Sequence, residues 1–100
     1  MFLFGPHKIR QSEIFHSSSQ SVCLVNIRPV VPGHVMVVPK EPHARFSELS
    51  TVQVTDLFIT ASLVVEAIQV QFNPSSFTLT IQDGKDAGQS VPHVHLVSLQ

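Results

Sequence analysis

The feature that most constrains the fold of this chain is one long amphipathic segment that follows Ser50. Ser50 and Gln53 form the Ser-x-x-Gln pattern of a capping box, in which the serine side chain accepts a hydrogen bond from the Gln53 amide. Asn73-Pro74 ends the segment, because the residue before a proline avoids the helical conformation. Between these ends, apolar residues at steps of three and four predict a helix of about five turns: Val54, Leu57, Phe58, Ala61, Val65, Ile68 and Phe72.

The opposite side of this helix is not purely polar. Val52, Ile59, Leu63 and Val70 form a second apolar stripe. A monomer would expose that stripe to water, so we favour its burial in a homodimer. The alternative is ordinary scattered exposure of apolar side chains.

Three apolar segments around the helix predict β-strands. Residues 21–27 are rich in β-branched side chains, as expected for a strand covered on both faces. Residues 34–38 predict a second buried strand, which Pro39 stops and which pairs antiparallel with the first across a short loop. Residues 77–81 alternate, which predicts a third central strand. Its core-facing residues would be Phe77, Leu79 and Ile81.

Shorter strand patterns occur at residues 2–4, 13–15 and 91–97. Strands, one long helix and then strands with short turns predict an α+β fold, with an antiparallel sheet of about five strands. At 100 residues, the chain should form one domain, residues 1–100.

The bulk properties limit the kind of partner. The formal net charge of −1 argues against broad electrostatic binding to nucleic acid or to an anionic membrane. Cys23 is the only cysteine, which excludes an internal disulfide and suits a reducing compartment. The apolar run at residues 1–4 is too short for a signal peptide or a membrane span. We therefore expect a soluble protein of the cytoplasm, with the nucleus as the alternative.

The chemistry is concentrated in residues 82–95, near the end of the chain. Gly84 and Gly88 permit tight turns, and such a loop can present backbone amides to an oxyanion such as phosphate. Alternation on a strand places His93 and His95 on one face beside that loop. A neighbouring imidazole can act as base, acid or nucleophile.

The six histidines do not carry equal weight. We interpret His16 and His43, and at this point also His7, as surface or hydrogen-bonded core residues. A zinc site at His93 and His95 is the rival to a phosphate site. It would need one or two further ligands, and Cys23 lies in an apolar strand, so we predict no metal bound by the protein itself.

Taken together, these motifs resemble the histidine-triad superfamily, and more narrowly its fragile-histidine-triad branch of dinucleoside triphosphate hydrolases. The resemblance rests on Asn26-Ile-Arg-Pro-Val-Val-Pro-Gly-His34, on the helix that follows, and on Ile81-Gln-Asp-Gly-Lys-Asp-Ala-Gly-Gln-Ser-Val-Pro-His-Val-His95. It extends over nearly all of the chain, including Phe4-Gly-Pro-His-Lys-Ile9.

The resemblance implies cleavage of diadenosine triphosphate to AMP and ADP through a covalent nucleotidyl-histidine. His95 would be the nucleophile, oriented by His93 with help from His34. Divalent Mg²⁺ or Mn²⁺ could accompany the substrate phosphates. The residues implied to bind the nucleotide are His7, Asn26, Gln82, Gly88, Gln89, Ser90 and Val91.

The sequence departs from the family pattern at its end. Val97 stands where the pattern has a third histidine, and Ser98-Leu99-Gln100 replaces a basic Pro-Arg continuation. We therefore expect a truncated or alternatively spliced form that lacks the C-terminal part of the family domain, or the loss of two residues after a histidine. The missing imidazole would assist the leaving group, so hydrolysis should be impaired.

Three other interpretations stay open at this point. The phosphoramidase branch of the same superfamily hydrolyses AMP attached to an amine, although Asn26-Ile-Arg-Pro and Ile81-Gln-Asp-Gly favour the first branch. A non-catalytic nucleotide-binding protein would keep the adenosine pocket without turnover, as Val97 suggests. A chain ending inside a strand could also fold too weakly to function.

Overall fold

A computed structural model describes residues 2–25 and 35–99 of the chain. Its single α-helix in that part of the chain, α1, is Thr51–Phe72. In chain order the strands are β1 Phe2–Phe4, β2 His7–Ile9, β3 Ile14–Ser17, β4 Ser21–Val25, β5 Val35–Pro39, β6 Thr78–Ile81 and β7 Leu96–Leu99. Short 3₁₀ turns span Gln11–Glu13, Phe46–Glu48 and Lys85–Ala87.

The strands form two antiparallel sheets. β1 and β2 make a hairpin, and the larger sheet has five strands in the order β3-β4-β5-β7-β6. This architecture confirms the predicted α+β class, with one long helix and an antiparallel sheet of five strands. The predicted strand at residues 21–27 is described as far as Val25, and the rest of that segment, with Asn26 and His34, lies outside the described residues.

The helix begins as its sequence predicts. The Gln53 amide donates to Ser50 Oγ (3.2 Å), and the Ser50 amide donates to Gln53 Oε1 (2.8 Å). At the other end Asn73 adopts the left-handed conformation (φ 48°). This is a common way to end a helix, since asparagine tolerates that region.

The buried face of α1 differs in part from the predicted one. Phe58 and Phe72 are 44% and 48% exposed, because the helix turns a neighbouring stripe toward the sheet. That stripe is Leu57, Ala61, Val64 and Ile68, and it packs on Cys23, Val35, Val37 and Leu96. Apolar residues recur at steps of three and four along more than one side of this helix. Periodicity alone therefore could not show which side is buried.

The second apolar stripe of the helix is exposed, as predicted. Val52, Ile59, Leu63 and Val70 are 54–84% exposed. By length and by its mean hydropathy of 1.5, α1 is apolar enough to cross a membrane, but one of its faces forms the core with the sheet. The absence of membrane association stays a prediction.

Two strand predictions need correction. β6 lies at the edge of the described sheet rather than at its centre, because β7 is inserted between β5 and β6. Leu79 is accordingly 47% exposed, while Phe77 and Ile81 do pack against the core. β7 begins at Leu96 rather than at residue 91. Before it, the amides of His93 and Val94 donate to Val91 and His43 carbonyls, which takes these residues out of the ladder.

Candidate active site

The sheet face opposite the helix carries a cleft of about 450 Å³. Its floor includes one cross-strand row, in which Leu24 lies opposite Met36, Met36 opposite Val97, and Val97 opposite Thr80. The β1–β2 hairpin packs over the same face through Phe4 and Ile9. The polar residues that line the cleft are His7, Glu13, Thr80, Gln82, Ser90 and His95.

The hairpin is held in place by its turn. Gly5 has a φ of +56°, and a Cβ at this position would lie 2.6 Å from Val91 Cγ1. Only glycine therefore combines this backbone conformation with so close an approach. The Gly5 amide also donates to His93 Nδ1 (3.1 Å). The turn thus fixes the cleft wall directly to the histidine segment.

His93 is completely buried and lies behind the cleft. Because its Nδ1 accepts the Gly5 N–H, its Nε2 carries the proton and donates to the Pro39 carbonyl (2.8 Å). Both ring nitrogens are therefore used inside the protein, in one neutral tautomer. Burial lowers the pKa of His93; the bond to Pro39 opposes this shift, and His95 and His43 add to it. This arrangement suits a residue that positions others rather than one that contacts a ligand.

The lowered pKa of His93 predicts a loss of stability in mild acid. The unfolded chain takes up a proton below about pH 6.5, the ordinary histidine value, while the folded chain resists it, so the free energy of unfolding should fall as pH decreases from 7.5 to 5.5. Asp56 does not change its protonation in this range. Desolvation raises its pKa, but hydrogen bonds from serines outweigh that effect and hold the pKa below the ordinary 3.8. Urea unfolding at both pH values tests this. The decrease should be smaller in His93→Gln, and an unchanged decrease would contradict the assignment.

His95 lines the cleft and is half-buried. Its Nδ1 donates to the His93 carbonyl oxygen (2.9 Å), since a carbonyl can only accept. That bond leaves the lone pair on Nε2, on a ring that borders the cleft. The Phe4 ring meets the His95 ring edge-on at 5.1 Å and lies 5.3 Å from the His93 ring. A single phenylalanine therefore contacts both imidazoles, on the same side of the sheet.

The glycine loop is held mainly by its own hydrogen bonds. Gly84 and Gly88 have positive φ values of 101° and 95°. The amides of Ala87 and Gln89 donate to the Gly84 carbonyl, and the Gly88 amide donates to Lys85. The Gly84 amide donates to Gln89 Oε1 (2.7 Å). These four amides are thus engaged within the loop, which differs from the expected cradle of amides open to an oxyanion.

Gln89 braces this loop from within. Its Nε2 donates to the carbonyls of Ala44 (2.8 Å) and Val91 (2.9 Å). Gly88 has a different role, because a Cβ there would lie 2.6 Å from Gln82 Nε2. The glycine therefore gives the Gln82 side chain its place at the cleft.

An ion pair anchors the start of the loop. Arg45 Nε lies 3.0 Å from Asp83 Oδ1, which also accepts the Phe46 amide (2.9 Å). The hydrogen bond from Arg45 is the main cause that lowers the pKa of Asp83. These contacts are at the surface, so they define the path of the chain more than they add stability.

The structure brings together five of the residues predicted to form the site. His7, Gln82, Ser90, Val91 and His95 line one cleft. His93, Gly88 and Gln89 lie outside its lining and support it through the contacts described above. Asn26 and His34 lie outside the described residues, and the roles of all ten residues stay predictions.

Sequence reasoning missed the cleft walls. Phe4 and Ile9 belong to the hairpin, and the Phe-x-Phe-Gly pattern at residues 2–5 could have indicated it. No sequence pattern indicated Glu13, because it reaches the cleft through the 3₁₀ turn Gln11–Glu13, which was not predicted. Within residues 2–25 and 35–99, no three His, Cys, Asp or Glu side chains group closely enough to hold a metal ion.

The fold agrees with the comparisons to known proteins. The family model described as HIT domain matches residues 8–97, and the chain belongs to this family.

Two curated relatives are similar over most of the chain. It is 47% identical over 93 residues to a bis(5'-adenosyl)-triphosphatase of Dictyostelium discoideum, covering 93% of this chain and 62% of that protein. It is 44% identical over 95 residues to the Arabidopsis thaliana bifunctional bis(5'-adenosyl)-triphosphatase/adenylylsulfatase FHIT, covering 95% and 53%. The chain thus spans between about half and two-thirds of the length of these relatives.

Two solved structures share the fold closely. The Caenorhabditis elegans NitFhit protein superposes with a TM-score of 0.95 at 42% identity, covering 98% of this chain and 24% of that one. The Plasmodium falciparum diadenosine triphosphate hydrolase, in complex with Cyclomarin A, also has a TM-score of 0.95 at 30% identity, covering 98% and 67%.

Proposed function

We propose that this chain hydrolyses diadenosine triphosphate to AMP and ADP through a nucleotidyl group on His95. The observation that carries the proposal is the tautomer of His95, whose Nδ1 is committed to the His93 carbonyl while its ring borders the cleft. Relatives at 44–47% identity are named bis(5'-adenosyl)-triphosphatases, which supports the choice of substrate.

The reaction would proceed in two displacements. The Nε2 lone pair attacks the α-phosphorus, the bond from phosphorus to the bridging oxygen breaks, and ADP leaves with that electron pair. Water then attacks the same phosphorus, the P–N bond breaks, and AMP leaves as the water proton is passed to solvent or to the departing imidazole. Covalent catalysis of this kind replaces one difficult step by two easier ones.

The protein would contribute mainly by positioning. His93 cannot reach the substrate in this arrangement, but it carries the carbonyl that orients His95 and is itself clamped by Gly5 and Pro39. Gln82 and Ser90 line the cleft, and their amide and hydroxyl groups are suitable donors for hydrogen bonds to phosphate oxygens. The apolar floor would hold the nucleoside, and Mg²⁺ or Mn²⁺ would accompany the phosphates as part of the substrate.

A second candidate function is nucleotide binding without turnover. The observation that favours it is Val97, which lies on the cleft floor and offers no proton to a leaving oxygen. Chromatography of diadenosine triphosphate incubated with the protein decides between the two. Equal amounts of AMP and ADP would support hydrolysis, whereas saturable binding without products would support the binding role. Faster cleavage of an AMP–amine conjugate would instead indicate a phosphoramidase.

The proposed functional unit is a homodimer that buries the second stripe of α1. Val52, Ile59, Leu63 and Val70 would otherwise expose a continuous apolar surface. Light scattering of the purified protein should give twice the mass of 11.0 kDa. The variant Leu63→Lys should shift it toward the monomer, while Gln69→Lys, at an exposed position on a different side of the same helix, should not. A wild-type monomer at high concentration would refute the dimer. Location in the cytoplasm stays a prediction.

A further inference from the structure

Glu13 is the one acidic residue among the described residues that line the cleft. It is half-buried beside the apolar side chains of Ile9 and Leu24. A carboxylate in such surroundings is costly to desolvate unless it gains hydrogen-bond donors. Within the protein, its Oε2 accepts the Arg10 amide at 3.4 Å, near the limit for a hydrogen bond.

The sheet register places Glu13 and His95 at opposite parts of the cleft. Glu13 precedes Ile14, which lies opposite Leu24 on β4. His95 precedes Leu96, which lies opposite Val37 on β5. β3 and β7 are separated by β4 and β5, so at about 4.8 Å per strand spacing the two residues are on the order of 14 Å apart across the sheet. Sugar and base fit between a phosphate at His95 and an edge contact at Glu13.

We propose that Glu13 is a specificity-determining residue that accepts a hydrogen bond from the amino group of the bound base. The inference rests on the proposed function and adds the residue that selects a 6-aminopurine. The 6-amino group of adenine is a donor, whereas a 6-oxo purine presents an acceptor at the same position. A carboxylate attracts the first and repels the second.

The negative charge of Glu13 does not oppose phosphate binding at the other end. At roughly 14 Å it lies beyond the screening length of about 8–10 Å at moderate salt. A hydrogen bond to a charged group also discriminates strongly between ligands. When a ligand lacks the donor, the carboxylate is left desolvated and unpaired.

The test compares three nucleotides that differ only at position 6 of the purine. We expect the wild-type protein to bind AMP about tenfold more tightly than purine riboside 5'-monophosphate, which lacks the amino group. Inosine 5'-monophosphate, with an oxygen there, should bind still more weakly. Glu13→Val should remove the preference for AMP. Glu13→Gln keeps an acceptor oxygen and adds a donor, so it should retain AMP and improve binding of inosine 5'-monophosphate.

The chain offers a matched control in Glu48. It follows the same 3₁₀ pattern as Glu13, with its carboxylate accepting the Arg45 amide (3.0 Å), but it does not line the cleft. Glu48→Val should therefore keep the wild-type order of affinities. If Glu13→Val does not fold, Glu13→Gln still gives the decisive quantity, the ratio of the affinity for AMP to the affinity for inosine 5'-monophosphate.

The outcomes separate the inference from the proposed function. An unchanged order of affinities in both Glu13 variants, or no preference for AMP in the wild type, overturns the role of Glu13 and leaves the hydrolase proposal standing. If the folded wild type binds none of the three nucleotides, both are overturned.

Discussion

Replacing His95 by alanine is expected to reduce AMP release from diadenosine triphosphate by at least about 10³-fold, because the variant lacks the proposed nucleophile. The backbone should be little changed, since within residues 2–25 and 35–99 the His95 side chain makes one hydrogen bond, to the His93 carbonyl. The measurement is the initial rate of AMP formation with protein of verified fold.

The matched control for this variant is His16→Ala. His16 is an exposed histidine on β3 and does not line the cleft. Its removal should leave the rate within a factor of about two, as expected of a surface site. A His95→Ala protein that retains the wild-type rate would place the nucleophile elsewhere.

The second large effect is a gain of activity in Val97→His. Val97 lies on the cleft floor opposite Met36 and Thr80, two residues beyond His95 and on the same face of the sheet. An imidazole there would reach the cleft without full desolvation, since position 97 is half-buried. As a general acid it should raise the hydrolysis rate at least tenfold, since such groups typically contribute about 10²–10⁴-fold.

The control variant distinguishes an effect of proton transfer on the rate from an effect of a polar side chain alone. Val97→Gln places a hydrogen-bond donor at the same position but cannot deliver a proton, so its rate should stay well below that of Val97→His. Thermal unfolding of all three proteins checks that the fold is retained. No gain in a well-folded Val97→His protein would mean that the missing imidazole does not limit the reaction.

Local sequence patterns predicted the elements of the fold better than their arrangement. The capping box at Ser50 and the run of β-branched residues that begins at Ser21 act over a few residues, and both reappear in the structure, the strand as far as Val25. The edge position of β6 depends on β7 pairing between it and β5. No local pattern encodes that insertion, which is why residues 77–81 were predicted to be central.

The site shows the same division. The glycine-rich loop and the pair of His93 and His95 could be chosen from composition and spacing, because glycine turns and paired histidines are local features. The burial of His93 depends on Gly5, 88 residues away in the chain, and the inward orientation of Gln89 depends on Ala44. Sequence alone could not separate residues that border the cleft from those that hold its wall.

The most direct test of the account is the intact mass of the protein during turnover of diadenosine triphosphate. We predict a transient gain of one AMP-derived nucleotidyl group in the wild type, with AMP released as it decays, and no gain in His95→Ala. An adduct that forms and persists would assign the effect of Val97 to the second displacement. AMP release with no adduct on any time scale, or an adduct that survives in His95→Ala, would contradict the mechanism.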